Sequence, residues 1–252
     1  MEIKAEEKMP RFSIVTITRN HRAGLAATAA SIQTQTCTDY KWIIIDGAST
    51  DGTQDDFHNY TSAILISEPD AGIYDAMNKG LDLCTGDYVI FMNAGDQFAD
   101  VLTLEMIADF TNTPPDFIYG DSLEGNHYKS ARPYHTISQN MFTHHQAMIY
   151  NRAVLGDLRY NLDYKIAADY DLTLRFLKRA KRIVYIPAAI CIFEQGGVSQ
   201  RQAALGRHEQ FLSRTQHRAC SSLKNYIIRI SQAIFWTLRI YFPALYWFIK
   251  KQ

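Results

Sequence analysis

The chain has 252 residues, 47% of them hydrophobic and 21% charged, which suits one globular domain with a core that needs no staples, plus a short appendage. Cys37, Cys84, Cys191 and Cys220 lie far apart with no Cys-x-x-Cys or Cys/His ligand spacing, which excludes a disulfide framework and a zinc site and points to a reduced compartment. The 26 basic and 26 acidic residues balance, but no Asp or Glu follows Glu209, whereas Arg214, Arg218, Lys224, Arg229, Arg239, Lys250 and Lys251 do. The tail is therefore basic by seven and the body acidic by seven, a split that suits a tail addressed to an anionic surface.

Residues 1–8 are charged and hold no apolar segment, so no signal peptide is expected, and 1–10 reads as an extension. Residues 11–18 are rich in β-branched side chains and predict a first strand leaving through the polar Arg19-Asn20-His21-Arg22. A helix follows over 25–35. A second buried strand at 41–46 ends on Asp46, then a Gly/Ser/Thr/Asp turn leads into a helix near 54–60 and a short strand at 63–67. Strands that end in polar loops and return through helices are the rhythm of a parallel sheet, whose loops gather at one edge. Asp46, Ser49, Asp51, Asp70, Asp75, Asn93 and Asp96 can converge there. Turn and N-cap duty explains Asp46 and Asp51 as well as ligand contact does.

Glu68 to Gly80 reads as a loop and a helix beginning near Tyr74. The run 88–92 is apolar on both faces and bounded by Gly86 and the Asn93 to Asp96 turn, as a strand covered on both sides requires. Asn93 and Asp96 are hard oxygen donors suited to Mg²⁺ or Mn²⁺, although an Asp/Gly turn after a strand is also plain turn chemistry.

Four stretches in this order carry a resemblance: 13–20 (Ser-Ile-Val-Thr-Ile-Thr-Arg-Asn), 42–53 (Trp-Ile-Ile-Ile-Asp-Gly-Ala-Ser-Thr-Asp-Gly-Thr), 67–80 (Ser-Glu-Pro-Asp-Ala-Gly-Ile-Tyr-Asp-Ala-Met-Asn-Lys-Gly) and 86–96 (Gly-Asp-Tyr-Val-Ile-Phe-Met-Asn-Ala-Gly-Asp). Together they resemble the signatures of GT-A-fold family 2 glycosyltransferases, most of all bacterial members that build exopolysaccharide, capsule or O-antigen. The resemblance implies an α/β GT-A fold with a mostly parallel central sheet and helices on both faces. It implies that Ile17, Thr18, Asn20, Asp46, Ser49, Asp70, Asp75, Asn78 and Asn93 line a nucleotide-sugar pocket, with Asp96 as the metal acid for Mg²⁺ or Mn²⁺. Two departures stand out. Asn93 and Gly95 occupy places where an Asp is expected, leaving Asp96 as the sole carboxylate of the motif, and Gly47 stands where many relatives have a second Asp.

Beyond 101 the pattern predicts a helix to about 111, a Pro114-Pro115 break, a strand at 116–121, a polar loop over the site at 127–136, and an apolar strand running to 150. His145-Gln146 resembles a family pair near the diphosphate or acceptor, while a histidine before a strand is also an ordinary structural residue. Residues 167–176 open an amphipathic helix. There Asp169 matches the Asp of the family's Glu-Asp pair, with Ala168 in place of the Glu, and is implied as the base that takes the acceptor's proton. First-turn acids also suit the helix dipole. Residues 183–186 and 188–193 predict two further strand pieces, and 195–199 a mobile loop.

The domain is thus expected over 11–205, with a basic amphipathic helical tail over 206–252. Its longest uncharged run is too short to cross a membrane and suits the headgroup interface, or packing on the core or a second subunit. The expected function is an inverting glycosyltransferase at the cytoplasmic face of the membrane. It would move a sugar from a nucleotide-diphosphate donor to a lipid-linked saccharide, with no nucleic-acid partner. A sugar-phosphate nucleotidyltransferase and a non-catalytic nucleotide-sugar-binding or membrane scaffold protein stand as alternatives.

Overall fold

The computed structural model describes residues 9–125 and 127–242. In chain order it holds β1 (Phe12–Thr18), α1 (Arg22–Gln33), β2 (Tyr40–Asp46), a 3-10 turn (Thr53–Asn59), β3 (Ala63–Ser67), α2 (Ile73–Asp82), β4 (Tyr88–Phe91), β5 (Gln97–Phe98) and α3 (Thr103–Asp109). There follow β6 (Phe117–Glu124), β7 (His127–Lys129), β8 (Met148–Asn151), α4 (Arg152–Leu155), α5 (Ala168–Leu177), β9 (Ile183–Phe193), α6 (Val198–Arg201), α7 (Ala203–Gln216) and α8 (Ser222–Tyr241).

Among the described residues one nine-stranded sheet runs in the order β3-β2-β1-β4-β8-β6-β9-β5, with β7 paired to β6. β3, β2, β1 and β4 are parallel neighbours, as are β6 and β9; β8 enters antiparallel between β4 and β6. The sheet is a parallel half joined to a mixed half, and the parallel half is the part that the βαβ rhythm forecasts.

Its strands read as continuous apolar runs because both faces are covered. Phe12, Ile14, Trp42, Ile44, Tyr88 and Ile90 point into one core layer with Leu25 and Ile32 of α1 and Leu104 and Ile107 of α3. Val15, Ile43, Ile45, Val89 and Phe91 point into the other, with Met77 and Leu81 of α2 and Leu172 and Phe176 of α5. Trp42 is buried whole, and its indole N–H donates to Thr16 Oγ1 at 2.9 Å, so the largest side chain of the layer leaves no orphan donor.

Several elements differ from the sequence expectation. The two strand pieces at 183–186 and 188–193 are one strand, β9, whose register against β6 slips between Gly120 and Ser122. Pro187, which has no N–H to give a ladder, sits in the slip. The stretch 127–136, expected as loop, contains β7, turned back onto β6 after Gly125 at φ +59° and pinned where Tyr128 Oη donates to Asp121 at 2.6 Å. The helix expected at 54–60 is a 3-10 turn, and the loop expected over 195–199 gives way at Val198 to α6. Position 205, where the sequence divides domain from tail, lies within α7. Residues 1–8 and 243–252, including Pro243 and the last two lysines of the tail, lie outside the described residues.

Candidate active site

The polar ends of β1, β2, β3 and β4 meet at the carboxyl edge of the parallel half, where an open α/β sheet binds its ligands. Asp46, at the tip of β2, is fully buried and accepts from Ser49 N at 3.1 Å, from Ser67 Oγ at 2.6 Å and from the Ser49 hydroxyl. Ser49 Oγ in turn accepts from Asn20 N at 2.7 Å, and Asn20 Oδ1 accepts from Thr50 N at 2.7 Å. Asp46 thus anchors a knot that ties the loop after β1 to the loop after β2. Two non-glycine residues in this knot hold left-handed backbone, Asn20 at φ 51° and Ala48 at φ 55°. Such strain persists only where the surroundings over-determine it, and it gathers at binding sites.

Asp70 comes to the same place from the loop after β3. Its Oδ2 lies 2.2 Å from where a Cβ on Gly47 would stand, so its carboxylate occupies the room that a side chain at 47 would take. A glycine at 47 therefore makes room for the Asp70 carboxylate. Arg19 Nη1 approaches the same carboxylate at 4.0 Å, and Gly72 N donates to it at 2.9 Å. Asp75 accepts from Ala71 N at 3.0 Å and steadies this turn. Asn78 stands apart: its amide is spent at both ends on the Tyr160 backbone, at 3.0 and 2.8 Å, making it a strut under α2. The backbones of Ile17 and Thr18 brace neighbouring loops, accepting from Ala94 N at 3.0 Å and Gly47 N at 2.9 Å.

A second glycine repeats the pattern. Gly95, at φ +100°, stands where a Cβ would fall 2.1 Å from Glu194 Oε2, so the carboxylate of Glu194, just past the end of β9, fills the space that a side chain at 95 would take. Glu194 N also donates to Asp96 Oδ1 at 2.9 Å, and His21 Nε2 lies 3.3 Å from Glu194 Oε1. Glu194 carries little signal in the sequence beyond being an acid just ahead of Gln195-Gly-Gly, because its partner is remote in the chain.

Asp96 is 4% exposed and holds hydrogen bonds from Gln146 Nε2 and Glu194 N, and burial pushes its carboxyl up to about 6. Gln146 is adjacent to His145, whose Nδ1 is 3.7 Å from Asp169 Oδ2 and whose Nε2 meets Asn93 Nδ2 at 3.1 Å. The pair His145-Gln146 therefore links the acid after β4 to the acid opening α5. Burial pushes the Asp169 carboxyl up to about 6 and holds His145 down at about 3, so the imidazole is neutral near pH 7. Tyr74 Oη donates to the Ile166 carbonyl at 2.6 Å, bracing the turn ahead of Asp169.

Thr18 Oγ1, Asn93 Oδ1 and Gln146 Oε1 are buried without a hydrogen-bond partner among the described residues. Unsatisfied buried oxygens are rare in folded proteins and mark a place for an unseen partner. Asp96, Glu194 and these hard oxygens fit a Mg²⁺ or Mn²⁺ ion that keeps waters and takes further oxygens from a diphosphate. Among the described residues no three acidic, His or Cys side chains converge as a closed cage. Two surface concavities, one beside Cys84, Arg152 and Arg159 and one beside Arg11, Asp87 and Asn151, lie at the opposite edge of the sheet and share no residue with this cluster.

Residues 13–183 match the model of the family described as glycosyl transferase family 2. The chain is 32% identical over 204 residues to a PGL/p-HBAD biosynthesis glycosyltransferase of Mycobacterium bovis, covering 75% of this chain and 79% of that one. Two solved structures share its fold. S. aureus TarS in complex with UDP superposes with a TM-score of 0.64 at 19% identity, covering 81% of this chain and 65% of that one, a little under two thirds of its length. The mannosyltransferase PcManGT of Pyrobaculum calidifontis, in complex with GDP-Man and Mn2+, superposes with a TM-score of 0.65 at 18% identity, covering 93% and 71%. The chain has the GT-A fold and belongs to glycosyl transferase family 2.

Proposed function

We propose that this glycosyltransferase moves a sugar, with inversion, from a nucleoside-diphosphate donor to a hydroxyl of a lipid-linked saccharide during cell-surface glycan synthesis. The observation that carries this reading is the His145-Gln146 pair, which joins Asp96 to Asp169 across the proposed donor cleft. Asn20, Ser49 and Asp70 border the nucleotide, with Asp46 holding their loops in place. Asp96 and Glu194 hold the divalent ion, which when bound offsets charge developing on the departing diphosphate. Asp169 takes the proton of the attacking hydroxyl from the face opposite the leaving group, and its raised carboxyl matches that task better than an ordinary Asp does. Neutral His145 separates the two acids without adding a charge. The PGL/p-HBAD biosynthesis relative supports a role in cell-surface glycan synthesis, and the UDP and GDP-Man complexes support a nucleotide-sugar donor.

A thermal-shift series with UDP, GDP, UDP-GlcNAc and GDP-mannose, with and without Mn²⁺, tests the donor site. A donor present at a hundred times its Kd stabilises the native state by about 2.7 kcal/mol and raises Tm, more so with Mn²⁺. If no nucleotide moves Tm in either condition, the donor site is not where we place it. Binding without transfer to any acceptor would leave the scaffold alternative in its place, and release of pyrophosphate from a nucleoside triphosphate would restore the nucleotidyltransferase.

The acceptor is met at the cytoplasmic membrane surface through α8. Among the described residues no helix is long and apolar enough to cross a membrane. α8 instead exposes Leu223, Ile227, Ile230 and Ile234, at i, i+4, i+7 and i+11, the last three each more than half exposed, along one stripe. Its opposite side, through buried Asn225 and Ile228, sits on α7. Arg229 over Phe211 at 4.9 Å and Arg207 over Trp236 at 5.1 Å lie at the seam with α7, to one side of the stripe, and α8 itself carries basic residues and no acid. An apolar stripe on a basic helix suits an anionic bilayer. Co-sedimentation with phosphatidylglycerol vesicles, lost in Ile230→Glu, is the expected result, and equal pelleting of both proteins would refute it.

A further inference from the structure

Beyond the span that the family model matches, α7 lays one stripe of side chains along the start of α5. Gly206, Glu209, Ser213 and His217 fall at i, i+3, i+7 and i+11, on one helix face. Gly206 admits Ile166, whose Cγ2 lies 2.9 Å from where a Cβ at 206 would stand. Glu209, 4% exposed, accepts three backbone hydrogen bonds: Oε1 from Lys165 N, and Oε2 from Ile166 N and Ala167 N, all at 2.8 Å. One turn on, Ser213 Oγ and His217 Nε2 each reach Asp171 Oδ1 at 2.8 Å, while Arg175 Nε takes Oδ2 at 2.8 Å.

The reason for this arrangement lies in α5 itself. A helix leaves its first N–H groups without intrahelical partners, and a Ser, Thr, Asp or Asn at the N-cap normally accepts one of them. The N-cap of α5 is Ala167, which has no side chain able to do so, and the Tyr170 amide is taken instead by Asp169 Oδ1 at 2.7 Å. Glu209 acts one step earlier and from another helix, on the amides at and just ahead of the N-cap. Charge-assisted bonds from a buried carboxylate are among the stronger ones available, and the helix N-terminus favours the negative charge. Asp169 lies two residues beyond the last amide gripped.

We propose that Glu209 is a positioning residue for sugar transfer: by holding the amides of 165–167 from α7 it fixes the backbone that aims Asp169 into the cleft. This rests on the reading of Asp169 as the base. A second effect follows from charge, since Glu209 also helps keep the Asp169 carboxyl raised. The tail beyond the matched span is then part of the catalytic apparatus, and α7 joins it to α8 through Arg214 Nε, which donates to Asn225 Oδ1 at 2.6 Å.

The test uses the near-isosteric Glu209→Gln in the full chain, which keeps one acceptor oxygen but sets an NH₂ against a backbone N–H. Hydrogen exchange at the amides of 165–167 is expected to quicken roughly tenfold, as the loss of a charged hydrogen bond predicts. Turnover, followed as UDP released from UDP-GlcNAc or GDP from GDP-mannose, is expected to fall roughly ten- to a hundredfold, with donor KM nearly unchanged, since a misplaced base costs rate and not binding. Unchanged exchange at 165–167 overturns the clamp. Quickened exchange with unaltered kcat overturns the positioning role, as does a rise in KM alone. Full turnover in Asp169→Asn overturns the base reading instead, and the exchange result then reports the clamp without it.

Discussion

Both halves of the sheet put an acid where a glycine leaves room, by different routes. In the parallel half Gly47 yields to Asp70, which arrives on the loop of the adjoining strand β3. In the turn between β4 and β5 Gly95 yields to Glu194, which comes from the mixed half, just past β9, a strand that reaches the site by pairing with β5. The first exchange stays within neighbouring βα units, so both partners fall in stretches that the sequence already marks. The second crosses the sheet, and only the folded chain shows it. A motif that looks depleted along the chain need not be depleted in space.

The mixed half also holds Asp169, the base we propose, and the largest effect is expected there. Asp169→Asn keeps the shape of the side chain but removes the proton acceptor, and turnover should fall by roughly 10²- to 10⁴-fold, with nucleotide affinity by thermal shift unaltered. Near-normal turnover would move the chemistry out of the mixed half. The same carboxyl sets the acid limb of the pH profile. With Asp169 pushed up to about 6 by burial, the base is ionised above that pH and protonated below it. The rate should therefore drop about tenfold per unit as pH falls below 6, roughly a hundredfold by pH 4, and level off above. Stability runs the other way. A carboxyl raised in the folded state favours folding at pH below its unfolded value, and that contribution is lost as pH rises through about 6. Asp96 and His145 also contribute across this window, so the Asp169 contribution is read as wild-type stability minus that of Asp169→Asn; a difference that grew as pH rose through about 6 would contradict the assignment.

The parallel half was legible because its signals are local. Strand runs such as 41–46 are apolar on both faces, and each ends in a turn whose residue types are fixed by backbone geometry. The observed bounds, Tyr40–Asp46 for β2 and Ala63–Ser67 for β3, follow those runs closely. The helix that Asp169 opens was legible as an amphipathic run, Ala168–Leu177 as observed, and Asp169 itself was singled out by its family match. Glu194 and Glu209 were not, because each acts on a distant backbone: one fills the space over Gly95, the other holds the amides of 165–167. No spacing rule links such partners. β7 was hidden too, since a three-residue exposed strand carries no apolar alternation.

The smaller effect, and the sharper test of the comparison, falls on the two replacing acids. Glu194 is partly exposed, and among the described residues its carboxylate pairs with His21 at 3.3 Å, which leaves it able to turn toward a cation. Cation affinity follows the number of charged ligands, and Glu194→Gln should raise the Mn²⁺ concentration for half-maximal Tm shift in the presence of UDP or GDP roughly tenfold, from the loss of one ligand charge. Asp70 sits instead between Arg19 and the Gly72 amide, beside the nucleotide edge. Asp70→Asn should therefore weaken the nucleoside diphosphate by a similar factor and leave the Mn²⁺ dependence in place. If both variants change the Mn²⁺ dependence alike, the two glycines belong to one electrostatic site. If only Glu194→Gln does, the parallel half binds the nucleotide while the mixed half supplies the second cation acid and the base.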